Sequence, residues 1–208
     1  MFTIRKRLFE KKVQKYTMKR IGGNILEKYI TAPINDEITK DLNAGDYVYI
    51  TGTIYTARDA AHKRMFEAML EGQNPPFSLE NNIVYYLGPS PAKDGQVIGS
   101  AGPTTSSRMD KYTPLLLDNG LKGMIGKGKR SKEVIDSIKN NNAVYFAAVG
   151  GAGALLSKCI KKSEVIAYDD LGTEAIRKLE VENLPVVVVI DSQGNNLYET
   201  ATKKYEKN

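Results

Sequence analysis

Cysteine and histidine are almost absent from this sequence. Of its 208 residues one is cysteine, Cys159, and one is histidine, His62. A single cysteine cannot form an internal disulfide, so a disulfide scaffold is excluded. Nor can it supply the three or four ligands of an iron–sulfur cluster or a cysteine-based structural zinc site. One histidine likewise excludes a His-rich metal centre. No apolar run approaches the roughly 18–20 residues of a membrane span. The n-region, h-region and cleavage site of a secretory signal are not seen either. What is present, 41 % hydrophobic and 26 % charged residues, is the composition of a globular chain rather than a disordered one.

The net charge is +6 and unevenly placed. Residues 1–20 carry eight basic groups against one acid, Glu10, a local charge of +7; the other 188 residues sum to −1. A nucleic-acid reader spreads its cations over a face, whereas here they form a short arm. Residues 1–17 therefore read as a basic N-terminal extension, with Met18 an alternative start, and residues 18–208 as one domain. A solvated arm is the simpler reading, and neither a nucleic-acid nor a membrane partner is expected.

Along the chain, Tyr47–Tyr55 alternates β-branched and aromatic residues and predicts a strand. It feeds a helix over Arg58–Glu71, closed by Gly72, Pro75 and Pro76. Strands are expected at Asn82–Leu87, Leu121–Ile125, Ala143–Val149, Glu164–Tyr168 and Pro185–Asp191, with Gln96–Gly99 a short hairpin partner and a last strand near Leu197-Tyr198. Helices are expected from Ser107 through about Asn119, after Ser131, over Ala154–Lys161 and over Thr173–Leu179. This alternation gives an α/β fold, a mixed sheet covered by helices in one domain.

Four constellations could carry chemistry. Arg58, Asp59 and His62 share a helix face just after a strand, where open α/β sheets place ligands; they read either as an anion-binding helix start or as an ordinary acidic start with surface cations. Gly102-Pro103-Thr104-Thr105-Ser106-Ser107-Arg108-Met109-Asp110 offers four consecutive hydroxyls and an arginine at a helix start. It reads either as an anion grip or as N-capping, with Ser107 and Asp110 in the form of a capping box. Gly126-Lys127-Gly128-Lys129-Arg130 departs from a phosphate-binding Walker loop; Lys127 either reaches into a cleft or is solvated. Gly150-Gly151-Ala152-Gly153 lacks a full dinucleotide fingerprint and has only Asp169-Asp170 as a loose partner, so close packing of helix on strand is favoured. Together these segments supply cations and hydroxyls suited to a small dianion, but no strong electrophile or redox centre: half of an active site.

Thr51-Gly52-Thr53, Ala57-Arg58-Asp59-Ala60-Ala61-His62, the Gly102–Asp110 segment and Gly126-Lys127-Gly128, in this order, closely resemble the iron–sulfur hydro-lyase family. The likeness is to the β subunit, or C-terminal domain, of class I fumarate hydratase and L-tartrate dehydratase, and runs from about residue 20 to 200. It implies a swivelling β/β/α fold and an enzyme subunit inactive without its α partner, in a heterodimer or a dimer of heterodimers. It implies a 4Fe–4S cluster held by that α subunit and not by this chain, with the open iron acting as a Lewis acid on the substrate hydroxyl. It further implies that Arg58, Arg108, Thr104, Thr105 and Lys127 bind substrate, that Thr104 and Lys127 are catalytic, with Thr104 a candidate for proton abstraction, and that Asp59 and His62 support them. Lys129 followed by Arg130 matches the fumarase form of the Gly-Lys-Gly loop, which favours fumarate/malate over tartrate. A cytoplasmic location goes with this resemblance. The alternatives are a tartrate dehydratase β subunit and a non-catalytic anion- or nucleotide-binding module. Cys159 is expected to be a buried, inert thiol.

Overall fold

The computed structural model describes residues 17–21, 25–148 and 151–205. Its strands are β1 (Thr17–Ile21), β2 (Ile25–Ala32), β3 (Tyr47–Thr56), β4 (Ile83–Tyr85), β5 (Gly123–Gly126), β6 (Val144–Ala147), β7 (Ile160–Ala167) and β8 (Ile176–Ile190). Its helices are α1 (Asp36–Asp41), α2 (Asp59–Leu70), α3 (Thr113–Asp118), α4 (Lys132–Asn140), α5 (Gly153–Lys158) and α6 (Leu197–Tyr205), with 3₁₀ turns at Ser106–Met109 and Asp169–Glu174. Residues 1–16 of the basic extension lie outside the described residues; Thr17 opens β1.

The eight strands run in the order β1-β2-β3-β4-β5-β6-β8-β7, and β8 also pairs with β3. Strands β3, β4, β5, β6 and β8 thus close into a ring. Pairings β3–β4, β4–β5 and β5–β6 are parallel, whereas β6–β8 and β8–β3 are antiparallel. The expected fold class, a mixed sheet with helices around it, is the one found; the closure of the ring was not foreseen.

Period-two alternation decides which side chain enters which core. Ile83, Tyr85 and Leu87 join Ile54, Ile125, Val144, Phe146 and Val188 in one buried cluster, on one face of the ring strands. Val84, Tyr86, Met124 and Tyr145 point the other way, into a second cluster with Ala61 and Met65 of α2, Leu116 and Leu117 of α3, and Val134 and Ile138 of α4. The helices of the parallel half are therefore pinned against strands whose two faces are both apolar.

Several predicted elements differ. The helix expected over Thr173–Leu179 is the end of a 3₁₀ turn followed by β8. Here pairing with β7 on one side and β3 on the other, with Ile176, Leu179 and Val181 buried, overrides local propensity. The strand near Leu197-Tyr198 is the first turn of α6, because Asn196 Oδ1 accepts from the Tyr198 amide at 3.1 Å. Gln96–Gly99 forms no strand. The helix expected from Ser107 to Asn119 is broken in two, since Pro114 stands in the first turn of α3, and inside a longer helix it would remove a hydrogen bond and clash with the preceding turn. Helix α5 stops at Lys158 and β7 begins at Ile160, so Cys159 caps the helix and is half-buried rather than deeply buried. No helix among the described residues is long and apolar enough to cross a membrane.

Candidate active site

Three parallel strands, β3, β4 and β5, end on the same side, and the segments leaving them carry the predicted residues. The C-terminal ends of parallel strands are where α/β folds, open or barrel-like, place their ligands. Beyond β3, Arg58 is the N-cap of α2 in extended conformation (φ −118°, ψ −163°), and its side chain makes no capping bond. The helix start is capped from far along the chain: Glu174 Oε2 accepts from the Ala60 amide at 2.9 Å. His62 is fully buried, and its ring meets that of Tyr86 edge-on at 5.2 Å. Its Nδ1 lies 3.0 Å from the Arg58 carbonyl, which can only accept, so Nδ1 carries a proton and donates it there. Burial pushes its pKa down to about 4, and the nearby Arg130 charge acts in the same direction. His62 therefore supports the backbone of Arg58, not the Asp59 carboxylate.

The two arginines meet at one carboxylate. Arg108 Nε lies 2.6 Å from Asp59 Oδ1, and Arg58 Nε lies 3.5 Å from Asp59 Oδ2. Arg58 Nη2 also lies 3.3 Å from Glu174 Oε1. Among the described residues no hydrogen bond is made by Arg58 Nη1 or by the Nη atoms of Arg108, and the buried Arg58 Nε likewise has no hydrogen-bond partner. Gly88 lets the chain pass close behind Arg58: a Cβ there would sit 2.6 Å from Arg58 Cδ.

The hydroxyl segment is laced across the ends of β4 and β5 by its backbone. Leu87 bridges Pro103, and Thr105 bridges Lys127. The Thr104 amide donates to the Tyr86 carbonyl at 2.7 Å, the Lys127 amide to the Thr104 carbonyl at 3.3 Å, and the Ser106 amide to the Lys127 carbonyl at 2.8 Å. Buried Ser106 pins the segment from below: its Oγ is 2.8 Å from the Tyr145 hydroxyl, which donates to the Gly128 carbonyl at 2.9 Å. Thr104 is half-buried, while Thr105, Ser107, Arg108 and Lys127 are exposed. The Lys127 ammonium and the Thr104 and Thr105 hydroxyls have no partner among the described residues.

Ser107 and Asp110 do not form a capping box: Thr105 precedes the 3₁₀ turn without a side-chain bond. The Asp110 carboxylate is committed elsewhere, to Arg130 Nε at 2.7 Å and the Ser131 amide at 2.7 Å. Arg130, which the loop motif offered as a sign of substrate choice, has a fully buried side chain. Its Nη2 donates to Thr113 at 2.7 Å, and its guanidinium lies over the Tyr86 and Tyr145 rings. It holds the loop after β5 in place and contacts no cleft.

Of the predicted residues, Arg58, Asp59 and Arg108 are joined by direct contacts, and Thr104, Thr105 and Lys127 by backbone bridges. Glu174 carries no local signal, because its partners are more than a hundred residues away and its own segment reads locally as a helix. Gly153 serves packing: a Cβ there would sit 2.8 Å from the Gly102 amide nitrogen. Val149 and Gly150 lie outside the described residues. No group of three or more His, Cys, Asp or Glu that could hold a metal occurs among the described residues. The lone Cys159 thiol is pushed up by burial, so these residues do not fit an iron–sulfur cluster.

The chain is similar to a "putative L(+)-tartrate dehydratase subunit beta" of Methanocaldococcus jannaschii, 39 % identical over 187 residues, 86 % of this chain and 96 % of that protein. It is 38 % identical over 168 residues to fumarate hydratase 2 of Leishmania major, covering 78 % of this chain and 30 % of the relative. To the aerobic class I fumarate hydratase of Escherichia coli strain K12 it is 38 % identical over 152 residues, 72 % of this chain and 28 % of the relative. It thus spans nearly all of the first relative but less than a third of the other two. A family model described as the fumarase C-terminus matches residues 6–201, and with these relatives it places the chain in the fumarase C-terminal family.

Proposed function

We propose that this chain is the β subunit of an iron–sulfur hydro-lyase that, with a cluster-bearing α subunit, hydrates fumarate reversibly to L-malate. The observation that carries the reading is the pair of arginines joined through Asp59 beside the Thr104–Lys127 bridge. Arg58, Arg108 and Lys127 set against Asp59 and Glu174 leave one positive charge in excess, which favours a dicarboxylate dianion. Arg108 keeps two nitrogens free for a carboxylate, the bidentate geometry guanidinium suits best; Arg58 keeps Nη1.

In this reading the Thr104 and Thr105 hydroxyls hydrogen-bond the substrate. Thr104 holds or moves the proton at the carbon beside a carboxylate. An alkoxide is too basic to form unaided, so the exposed Lys127 ammonium, on the neighbouring backbone, supplies the stabilising charge. His62 and Asp59 keep Arg58 in place. The cluster falls to the α subunit, since this chain's residues do not fit it; the name of the Methanocaldococcus relative, a subunit, supports a two-chain assembly. The β chain alone is then inactive, and a cytoplasmic setting goes with the reading.

A second reading, L-tartrate dehydration to oxaloacetate, is favoured by the relative that this chain spans over 96 % of its length, and the fully buried side chain of Arg130, paired with Asp110, gives no ground for choosing fumarate. One anaerobic experiment tests both. The chain is assayed alone and co-produced with its α subunit for malate formation from fumarate. Turnover only by the pair is expected. A complex with an intact cluster that leaves fumarate unchanged overturns the fumarase reading, and the same sample given L-tartrate decides the second.

A further inference from the structure

We propose that Glu174 is a positioning residue for Arg58, an inference that rests on the reading of Arg58 as a substrate-carboxylate ligand. One carboxylate does two things. Its Oε2 fixes the first turn of α2 through the Ala60 amide at 2.9 Å, and its Oε1 holds the guanidinium of the N-cap residue at 3.3 Å. The helix start and the side chain hung from it are thereby set by one group.

Glu174 is itself held. It ends the 3₁₀ turn between β7 and β8, which is clasped to the next turn of α2 by Arg64. The two Arg64 Nη atoms donate to the two Asp170 oxygens at 2.7 Å each, and the guanidinium lies 4.8 Å from the Tyr168 ring centroid. On the other side of Arg58 stands Gly88, where a Cβ would fall 2.7 Å from Nη1. Arg58 Nη2 donates to Asp59 Oδ2 at 3.5 Å and lies 3.3 Å from Glu174 Oε1, while the buried Nε has no hydrogen-bond partner among the described residues, so the two carboxylates hold one corner of the guanidinium and leave Nη1 uncommitted. The Arg58 and Glu174 side chains are 22 % and 23 % exposed, so their attraction is less screened than that of the Arg64–Asp170 pair at 42 % and 59 %. An arginine fixed before substrate arrives loses no side-chain freedom on binding, which favours affinity and alignment.

The test separates this role from capping. Glu174→Gln keeps an acceptor for the Ala60 amide and removes the charge; Glu174→Asp keeps the charge and shortens the reach. In the αβ complex, Glu174→Gln is expected to lower kcat/KM for fumarate about tenfold, mostly through KM, with the melting temperature little changed. In an Arg58→Ala background the same substitution is expected to cost nothing further. The isolated chain gives a readout free of substrate: the Arg58 Nε–H resonance, assigned by its loss in Arg58→Lys, is expected to be resolved in the wild type and averaged in Glu174→Gln. Additive losses, wild-type kcat/KM in Glu174→Gln or an unchanged Arg58 resonance overturns the positioning role alone. A wild-type complex inert toward fumarate and tartrate overturns the hydro-lyase reading, and the positioning role with it.

Discussion

Arg108 Nε lies 2.6 Å from the Oδ1 of Asp59, while the other oxygen of that carboxylate faces Arg58 at 3.5 Å. One acid thus sets the spacing of two guanidinium groups from different parts of the chain. Asp59→Ala is expected to lower kcat/KM about tenfold or more, with assembly intact. Arg108→Ala is expected to lower it about a hundredfold, the scale of a lost charge-assisted pair. The Arg108 side chain is 51 % exposed, so the complex should still form; co-purification with the α subunit checks this beside the kinetics.

Lys127 and Thr104 are the places where stability and activity should part. The Lys127 ammonium and the Thr104 hydroxyl hold nothing among the described residues. Lys127→Met and Thr104→Ala are each expected to change unfolding free energy by less than about 1 kcal/mol and to cost the complex about a hundredfold or more in kcat. Urea unfolding of the isolated chain and steady-state kinetics of the pair measure the two effects.

His62 makes stability fall in mild acid. Its pKa goes from 6.5 to about 4 on folding, through burial. Between these values the unfolded chain binds a proton that the folded chain refuses, so the His62 contribution is complete above pH 6.5 and is lost as pH falls toward 4. The amount is on the order of 3 kcal/mol. His62→Phe, which retains a ring against Tyr86, should flatten the unfolding free energy over this window. A slope unchanged by that substitution would assign the acid sensitivity to other groups.

Asp110 and Arg130 form a buried pair, with side chains 13 % and 0 % exposed. Asp110→Ala leaves a buried guanidinium uncompensated and is expected to cost about 3–5 kcal/mol, with loss of the Ser131 anchor at the start of α4. Thermal and urea unfolding of the isolated chain check it. Because Arg130 is sealed from the cleft, this cost should be the same with or without substrate.

Gly126 is required by close approach. A Cβ there would meet the Tyr86 ring at 2.8 Å and also the Ser106 side chain. Gly126→Ala is expected to destabilise by about 1–3 kcal/mol and, by displacing the segment that carries Thr104 and Thr105, to lower activity further than the stability loss explains.

Much of this was readable residue by residue. The Tyr47–Tyr55 alternation, the Arg58–Glu71 helix and the Ser131 cap are local patterns, and each is present: β3, α2 and a Ser131 Oγ that accepts from Val134 at 3.4 Å. Pro114 carried a signal that should have split the helix through it. The strand over Ile176–Leu179 was not legible, because what makes it a strand is β3 and β7 on either side. The α/β class followed from the alternation of strand and helix signals and the family resemblance from motif order; the closure of the ring followed from neither.

By itself the sequence determined what this chain cannot hold and which anion-binding groups it carries. One cysteine and one histidine exclude a self-contained cluster, and arginines, lysine and threonines at strand ends supply anion-binding chemistry. Tertiary structure decided which groups act together. Asp59 sits one residue from Arg58 yet takes its shortest contact from Arg108; Asp110 serves buried Arg130 and not a cap; Glu174 reaches the helix start from the far loop. The reason is physical. A charged side chain inside a fold goes to whichever partner the packing brings within about 3 Å, and sheet closure, not sequence distance, brings those partners together.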